Sequence, residues 1–210
     1  MLQGDCMEFM AGLGENAFDL AVVDIPYGLR DKLTTGGTWA SKYKTGDACW
    51  DKIPEDSYFN KLFQISNNQI IWGGNYVKLP PNRCYLIWDK IALMPTMADS
   101  EYAWTSFDKN AKTFRHTRNT REKRIHITQK PVPLYKWILK NYAKETDTIL
   151  DTHGGSGSIC IACIDMGFDL TWIEKDPDYY AAAVERVQRH NAQLDLFREQ
   201  AEIITGEVEV

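Results

Sequence analysis

The sequence predicts an α/β fold in which helices flank a mostly parallel central sheet. Strand-like apolar runs alternate with helical patterns along the chain, and this alternation favours parallel strands covered by helices. The 210 residues are enough for a full core, and their apolar content of 44% is ordinary for a globular protein. We therefore expect one domain over residues 1–210.

The individual elements follow from periodicity and from the turn residues between them. Short apolar runs predict strands at 20–24, 69–73, 84–88, 101–106, 147–151 and 168–173. Longer runs with helical spacing predict helices at 55–67, 131–143, 156–166 and 177–203, with Pro131 in the first turn of the second. Segment 29–50 is rich in Gly and Thr and lacks an apolar period. It predicts a mobile loop, either a substrate lid or a loop without function.

The net charge of −5 hides a concentrated basic segment. From Lys109 to Arg124, seven Lys and Arg side chains face one acid, Glu122, so this stretch carries +6 and the rest of the chain −11. Such a segment is typical of a contact with a polyanion, and a solvated loop is the alternative. We expect segment 108–127 to contact nucleic acid through its basic side chains: Lys109, Lys112, Arg115, Arg118, Arg121, Lys123 and Arg124.

Cysteine usage and hydropathy narrow the class of protein. Five cysteines in a chain of this size do not indicate a disulfide framework, and Cys160 and Cys163 favour packing in a helix core over a metal or redox site. No run approaches the roughly 18 apolar residues of a membrane span. The N-terminal stretch MLQGDCMEFM also lacks the basic region and the apolar region of a secretory signal peptide. We therefore expect a cytoplasmic protein.

The first informative corner is LAVVDIPYG, residues 20–28. Its apolar strand stops at Asp24 and continues into Ile25, Pro26 and Tyr27. These residues either turn the chain or present an acid and an aromatic ring to a ligand.

The second informative corner lies within residues 149–176. A strand ends at Asp151, a turn of Gly154, Gly155, Ser156 and Gly157 opens a helix, and Glu174 ends the next strand. Glycines let the backbone approach a ligand, and the acid can accept hydrogen bonds from ribose hydroxyls. The dinucleotide pattern would need glycine at 160, where a cysteine stands, so pyrophosphate binding is not supported. The pattern predicts a nucleoside-binding βαβ unit, with a purely structural turn as the alternative.

Together the two corners resemble the amino-methyltransferases of DNA, which use S-adenosylmethionine and carry an acid-Pro-Pro-Tyr motif and a glycine-rich motif. The catalytic motif comes first, then the basic segment, HITQKP (126–131) and the glycine-rich motif, an order similar to the permuted beta group and to phage-type adenine methyltransferases. The resemblance also includes Gly4-Asp5-Cys6, WGGNY (72–76), WDK (88–90), SEYAWTSF (100–107) and IEKDPDYY (173–180). It implies a Rossmann-like methyltransferase fold and methylation of the N6 amine of adenine in DNA.

The resemblance also implies catalytic roles. The Asp24 carboxylate and the Ile25 carbonyl hold the two amine hydrogens, Pro26 stiffens the corner, and Tyr27 stacks on the flipped base. No metal is needed, because positioning does much of the work.

For S-adenosylmethionine the implied residues are Asp5 and Cys6 beside the adenine, Glu174 at the ribose, and Asp151 at the methionine amino group; the others are Asp24, Thr128, Gln129, Lys130, His153, Gly154, Gly155, Ser156 and Gly157. Two alternatives stay open. Asp5 can instead cap a helix starting at Met7, and Lys130 can be a solvated lysine before a helix.

Two positions depart from the family pattern. Ile25 stands where proline is usual, and Thr152-His153 stands where Pro-Phe is usual. Packing of the His153 imidazole is favoured over catalysis, because methyl transfer has no obvious need for a second base. An RNA or cytosine-N4 methyltransferase and a non-catalytic binding subunit remain alternatives. The short basic segment predicts a short or relaxed recognition site, and the choice between monomer and homodimer is open.

Overall fold

The computed structural model describes residues 1–28, 51–91, 98–117, 124–126 and 128–206. The predicted loop 29–50, Cys49, and the basic residues Arg118, Arg121 and Lys123 lie outside these residues. The described strands are β1 (Leu2–Gln3), β2 (Phe18–Asp24), β3 (Ser66–Trp72), β4 (Tyr85–Asp89), β5 (Ser100–Thr105), β6 (Lys112–Arg115), β7 (Ile149–Asp151) and β8 (Leu170–Glu174). The α-helices are α1 (Cys6–Ala11), α2 (Asp56–Ile65), α3 (Val132–Tyr142), α4 (Ser158–Met166) and α5 (Pro177–Gly206), and a 3₁₀ turn spans Gly74–Tyr76.

The strands form one sheet in the order β1-β8-β7-β2-β3-β5-β4-β6. Strand β5 runs antiparallel to both of its neighbours, and the other neighbouring pairs are parallel. The predicted α/β fold with a mostly parallel sheet is confirmed.

Alternate residues of β2 face two separate cores. Leu20 and Val22 pack into the core under α3, α4 and α5, whereas Ala21 and Val23 pack into the core under α1 and α2. A strand covered on both faces requires apolar residues at successive positions, which is the pattern of this run. Helices therefore lie on both faces of the sheet.

The six predicted strands and four predicted helices are all present, with shifted ends. Strands β1 and β6 were not predicted, because the two residues of β1 are exposed and the four residues of β6 lie mostly exposed at the sheet edge without apolar alternation. Cys160 and Cys163 are buried in α4, as predicted. Within the described parts of the chain, no helix has the length and apolarity required to cross a membrane.

The carboxyl edge of the sheet gathers the acidic strand ends. Asp24, Asp151 and Glu174 end parallel strands, and antiparallel β5 places Glu101 near the same edge. The helices that follow the adjacent strands β2 and β7 lie on opposite faces of the sheet. The crevice at such a switch point is where open α/β sheets bind ligands.

Candidate active site

A cavity of about 710 Å³ opens at this switch point and joins the two corners. Its size is in the range of small-molecule sites, roughly 300–1,000 Å³. The predicted site residues that line it are Asp5, Cys6, Asp24, Ile25, Pro26, Tyr27, Thr128, Gln129, Lys130, His153, Gly154, Gly155, Ser156 and Glu174. The predicted catalytic and cofactor-binding motifs, which are far apart in sequence, therefore share one cavity.

Asp151 and Gly157 lie beneath the cavity surface. The Asp151 carboxylate accepts the His153 backbone N–H at 3.0 Å, and burial raises its pKa to about 8. Gly157 has a φ of +69° and caps α4 beside Ala183 and Val187 of α5. Both residues shape the glycine-rich turn from below.

Asp24 is held by two donors. Its Oδ2 lies 2.5 Å from the Lys130 ammonium, and its Oδ1 accepts the Tyr27 hydroxyl at 2.8 Å. Lys130 also donates to the Tyr27 oxygen at 3.2 Å and is only 1% exposed at its side chain. The alternative of a solvated Lys130 is therefore wrong, and the lysine is paired with the Asp24 carboxylate.

Two further charged residues, Glu101 and Lys90, continue the network. Lys130 lies 3.1 Å from Glu101 Oε2, and Lys90 lies 2.8 Å from Glu101 Oε1. Burial alone would raise the pKa of Glu101, but the charges of Lys130 and Lys90 outweigh it and lower the pKa to about 2. Burial raises the pKa of Asp24 against the opposing charge of Lys130. Charges of opposite sign therefore alternate through the network, which is the condition for burying them.

The WGGNY motif (72–76) provides the surface on which the Tyr27 ring packs. A Cβ on Gly73 would lie 2.1 Å from the Tyr27 ring, so only glycine allows the ring to pack there, and its φ of +78° also favours glycine. Tyr76 stacks on Tyr27 with the ring centroids 4.9 Å apart. These contacts fix the ring beside Asp24.

Ile25 fixes the catalytic corner by packing. Its side chain is 2% exposed and lies in the core with Met10 and Leu62 of the flanking helices. The usual proline would restrict φ directly, whereas the isoleucine is restrained by its neighbours.

The glycine-rich corner is held mainly by backbone hydrogen bonds. Glu174 accepts the N–H groups of Gly155 at 2.7 Å and Asp176 at 2.8 Å. Each carboxylate oxygen retains a lone pair, so Glu174 is still able to accept from ribose hydroxyls. A Cβ on Gly154 would lie 1.9 Å from Trp172, so this glycine is required for packing under the turn.

Arg186 of α5 supports the same turn from behind. Its Nη1 donates to the Ser156 carbonyl at 2.8 Å and to the Ser158 hydroxyl at 2.9 Å. The buried guanidinium thereby ties the start of α4 to α5.

His153 packs as a neutral ring. Its Nδ1 lies 3.0 Å from the Thr152 hydroxyl, and its ring meets Tyr58 edge to face at 5.2 Å. Burial lowers the His153 pKa to about 4. The ring is therefore uncharged at neutral pH, which agrees with the packing role expected from the sequence.

The N-terminal residues also contribute to the cavity. Asp5 accepts the Met7 N–H at 2.8 Å as the N-cap of α1, and its other oxygen lies 2.9 Å from Lys175. The capping alternative is therefore confirmed, and the same residue lines the cavity. Burial raises the pKa of Cys6 to about 11, which keeps the thiol neutral.

The described part of the basic segment is divided between two ends of β6. Arg115 lies at the carboxyl end, where it pairs with Asp89 at 2.9 Å. Lys112 lies at the other end and donates to Asn141 at 3.4 Å, and Lys109 also reaches Asn141. Of these three residues, Arg115 lies at the same edge of the sheet as the cavity, and nucleic-acid contact by the segment stays a prediction.

Known proteins match this chain over most of its length. The family described as DNA methylase matches residues 39–185. The chain is 21% identical over 243 residues to the type II methyltransferase M.HinfI of Haemophilus influenzae, an alignment that covers 90% of the chain and 68% of that relative.

Solved structures show the same fold. The structure of M1.HpyAVI in complex with SAM is 19% identical with a TM-score of 0.56, and the match covers 89% of this chain and 97% of that one. The PvuII DNA methyltransferase, described as cytosine-N4-specific, is 14% identical with a TM-score of 0.59, covering 90% and 89%.

Proposed function

We propose that this chain, which belongs to the DNA methylase family of N6 and N4 methyltransferases, methylates the N6 amine of adenine in DNA. DNA methyltransferase activity with S-adenosylmethionine follows from family membership. The choice of adenine as the target base and the roles of individual residues go beyond family membership, and they are what we propose here. The observation that carries it is the Asp24 carboxylate, held by Lys130 and Tyr27 in the cavity that also contains the glycine-rich turn.

The chemical difficulty is a weakly nucleophilic amine. The lone pair of an exocyclic adenine amine is delocalised into the ring. Asp24 accepts one amine hydrogen and the Ile25 carbonyl accepts the other, which draws the nitrogen towards a tetrahedral geometry and aims its lone pair into the cavity. Because burial raises the pKa of Asp24, this carboxylate also suits the proton that the nitrogen finally loses.

The base reaches the cavity by leaving the DNA stack. Flipping costs a few kcal/mol, and stacking on an aromatic ring returns about 1–3 kcal/mol. Tyr27 supplies that ring, and its seat on Gly73 keeps the ring at a fixed position relative to Asp24.

The remaining cavity residues fit S-adenosylmethionine. Glu174 has free lone pairs that would hold the ribose hydroxyls, Asp5 and Cys6 line the cavity where they would border the adenine, and the turn at Gly154 and Gly155 would let the backbone approach closely. When bound, the cofactor supplies a methyl group activated by a sulfonium centre. The Lys130 ammonium already contacts Asp24, Glu101 and Tyr27. We therefore assign to Lys130 the role of orienting the Asp24 carboxylate.

Adenine is favoured over cytosine by Asp24, because cytosine-N4 members of the family more often carry serine at the corresponding place.

The test is the identity of the product. Purified protein and labelled S-adenosylmethionine are incubated with unmethylated DNA and, in parallel, with RNA, and the digested nucleosides are separated by mass.

The proposal predicts labelled N6-methyldeoxyadenosine from DNA. Labelled N4-methyldeoxycytidine would instead assign the cytosine activity, and product from RNA alone would assign an RNA enzyme. If neither the DNA nor the RNA acquires the labelled methyl group, the non-catalytic alternative is favoured.

A further inference from the structure

Both oxygens of the Asp24 carboxylate are engaged before any substrate binds. Oδ1 accepts the Tyr27 hydroxyl at 2.8 Å, and Oδ2 faces the Lys130 ammonium at 2.5 Å. Each oxygen has a second lone pair, but an ammonium at this distance offsets much of the negative charge that would attract an amine hydrogen. Binding of an amine to Asp24 is therefore strengthened when at least one of these donors moves away.

The same two donors have a second acceptor in common. Glu101 Oε2 lies 3.1 Å from the Lys130 ammonium and 3.5 Å from the Tyr27 hydroxyl. Glu101 is 20% exposed at its side chain and lies behind Lys130 and Tyr27, which line the cavity. Its other oxygen is fixed by Lys90 at 2.8 Å.

We propose that Glu101 is a positioning residue that receives Lys130 and the Tyr27 hydroxyl when the substrate amine takes their places on Asp24. The inference rests on the proposed function, because it presupposes an amine substrate. The Tyr27 ring stays in place and only its O–H turns about the C–O bond, the Lys130 ammonium shifts slightly, and no covalent bond forms or breaks. Lys90 holds Oε1, so that Oε2 remains directed at the two donors.

The exchange has an energetic reason. A buried ammonium that leaves Asp24 without reaching another anion would be left uncompensated, which is strongly unfavourable. A buried hydroxyl without an acceptor is also costly. Glu101 removes both costs, because either donor reaches a carboxylate oxygen on the side of the network away from the cavity.

The direct test is Glu101→Gln, which keeps the shape of the side chain and removes its charge. We expect the single-turnover methylation rate at saturating DNA and cofactor to fall about 10- to 100-fold, as for loss of a charged hydrogen-bond partner. The dissociation constants for DNA and for S-adenosylmethionine should stay unchanged, because Glu101 is not among the residues that line the cavity. The matched control is Glu185→Gln on α5, which removes an exposed ion pair with Arg189 and should retain the wild-type rate.

A second variant separates exchange from simple charge balance. Glu101→Gln combined with Lys90→Met restores a neutral network, and neutral replacement of a buried ion pair is often tolerated. We expect the double variant to unfold at a denaturant concentration close to wild type and still to methylate slowly. Recovery of the wild-type rate in the double variant would overturn the inference, because Glu101 would then serve only to balance Lys90.

The two proposals fail in different ways. Wild-type protein that transfers no methyl group to DNA would overturn the proposed function and this inference with it. An active wild type with an equally active Glu101→Gln variant would overturn the inference alone.

Discussion

The proposed catalytic corner (Asp24 to Tyr27) and the glycine-rich corner share one cavity but are built differently. Around Asp24 the contacts are between charged or polar side chains, from Lys130 and Tyr27 to Glu101. Around the glycine-rich turn, the acids accept backbone N–H groups, as Glu174 does from Gly155. Side chains exchange partners by rotation, whereas backbone groups are fixed by the fold. The proposed cofactor site is therefore held more rigidly than the proposed catalytic acid, Asp24, whose side-chain partners can change.

The largest effect is expected from Lys130→Met in the catalytic corner. Removing the ammonium leaves Asp24 and Glu101 as neighbouring buried acids, and breaking a buried ion pair costs about 3–5 kcal/mol. Urea denaturation should show a loss of this size in the free energy of unfolding. The control is Lys136→Met, whose ion pair with Asp165 is 42% exposed on the lysine side and should matter much less. Equal losses for the two variants would contradict the account of a buried network.

The next largest effect is expected from Gly154→Ala in the cofactor corner. The added methyl group would meet the buried Trp172 ring at 1.9 Å, and overpacking of this kind costs about 1–3 kcal/mol. Calorimetry should show weaker binding of S-adenosylmethionine together with a lower melting temperature. Gly12→Ala is the matched control, since a Cβ there meets nothing within 4 Å. Unchanged cofactor affinity in Gly154→Ala would show that the turn is less rigid than we infer.

A pH-dependent effect follows from the neutral His153. Its pKa is about 4 in the folded protein, below its ordinary value of 6.5, so the unfolded state binds more protons between these pH values. The free energy of unfolding therefore falls as the pH is lowered from about 6.5 towards 4, by about 1–2 kcal/mol from this residue at pH 5. His153→Phe should reduce that loss. Urea curves at pH 8 and pH 5 measure it, and an unchanged difference between the two pH values would refute a neutral buried imidazole.

The smallest effect concerns the two ends of β6. Arg115→Ala should weaken DNA binding and reduce the salt slope of the affinity by about 1, because a single phosphate contact is lost. Lys112→Ala is the matched variant at the far end of the strand and should leave the slope unchanged. Cofactor binding should be the same in both proteins. Equal slopes for Arg115→Ala and wild type would remove this arginine from the DNA interface.

The fold was largely predictable, because buried parallel strands and amphipathic helices carry strong local patterns. The strand that ends at Asp24 and the acid at Glu174 were found in this way. Strand β6 was missed since an exposed edge strand of four residues has no such pattern.

The charged network was harder to predict. Glu101 reaches Lys130 only because β5 runs antiparallel and brings its first residues to the carboxyl edge of the sheet. The spacing of residues in the sequence does not reveal that β5 runs antiparallel to its neighbours. The requirement for glycine at position 154 was also hard to predict, because it comes from a distant residue. Trp172 of β8 fills the space that a side chain at 154 would need.

The central claim is that the Asp24 carboxylate orients the substrate amine. The most direct test is the single-turnover methylation rate of Asp24→Asn, with cofactor affinity measured on the same protein. The variant keeps the side-chain shape and loses the charge, so we predict normal S-adenosylmethionine binding and a rate reduced by roughly 10²- to 10³-fold. Asp108→Asn, an exposed carboxylate paired with Arg83, should keep the wild-type rate. A wild-type rate of N6-methyladenine formation in Asp24→Asn would contradict the claim.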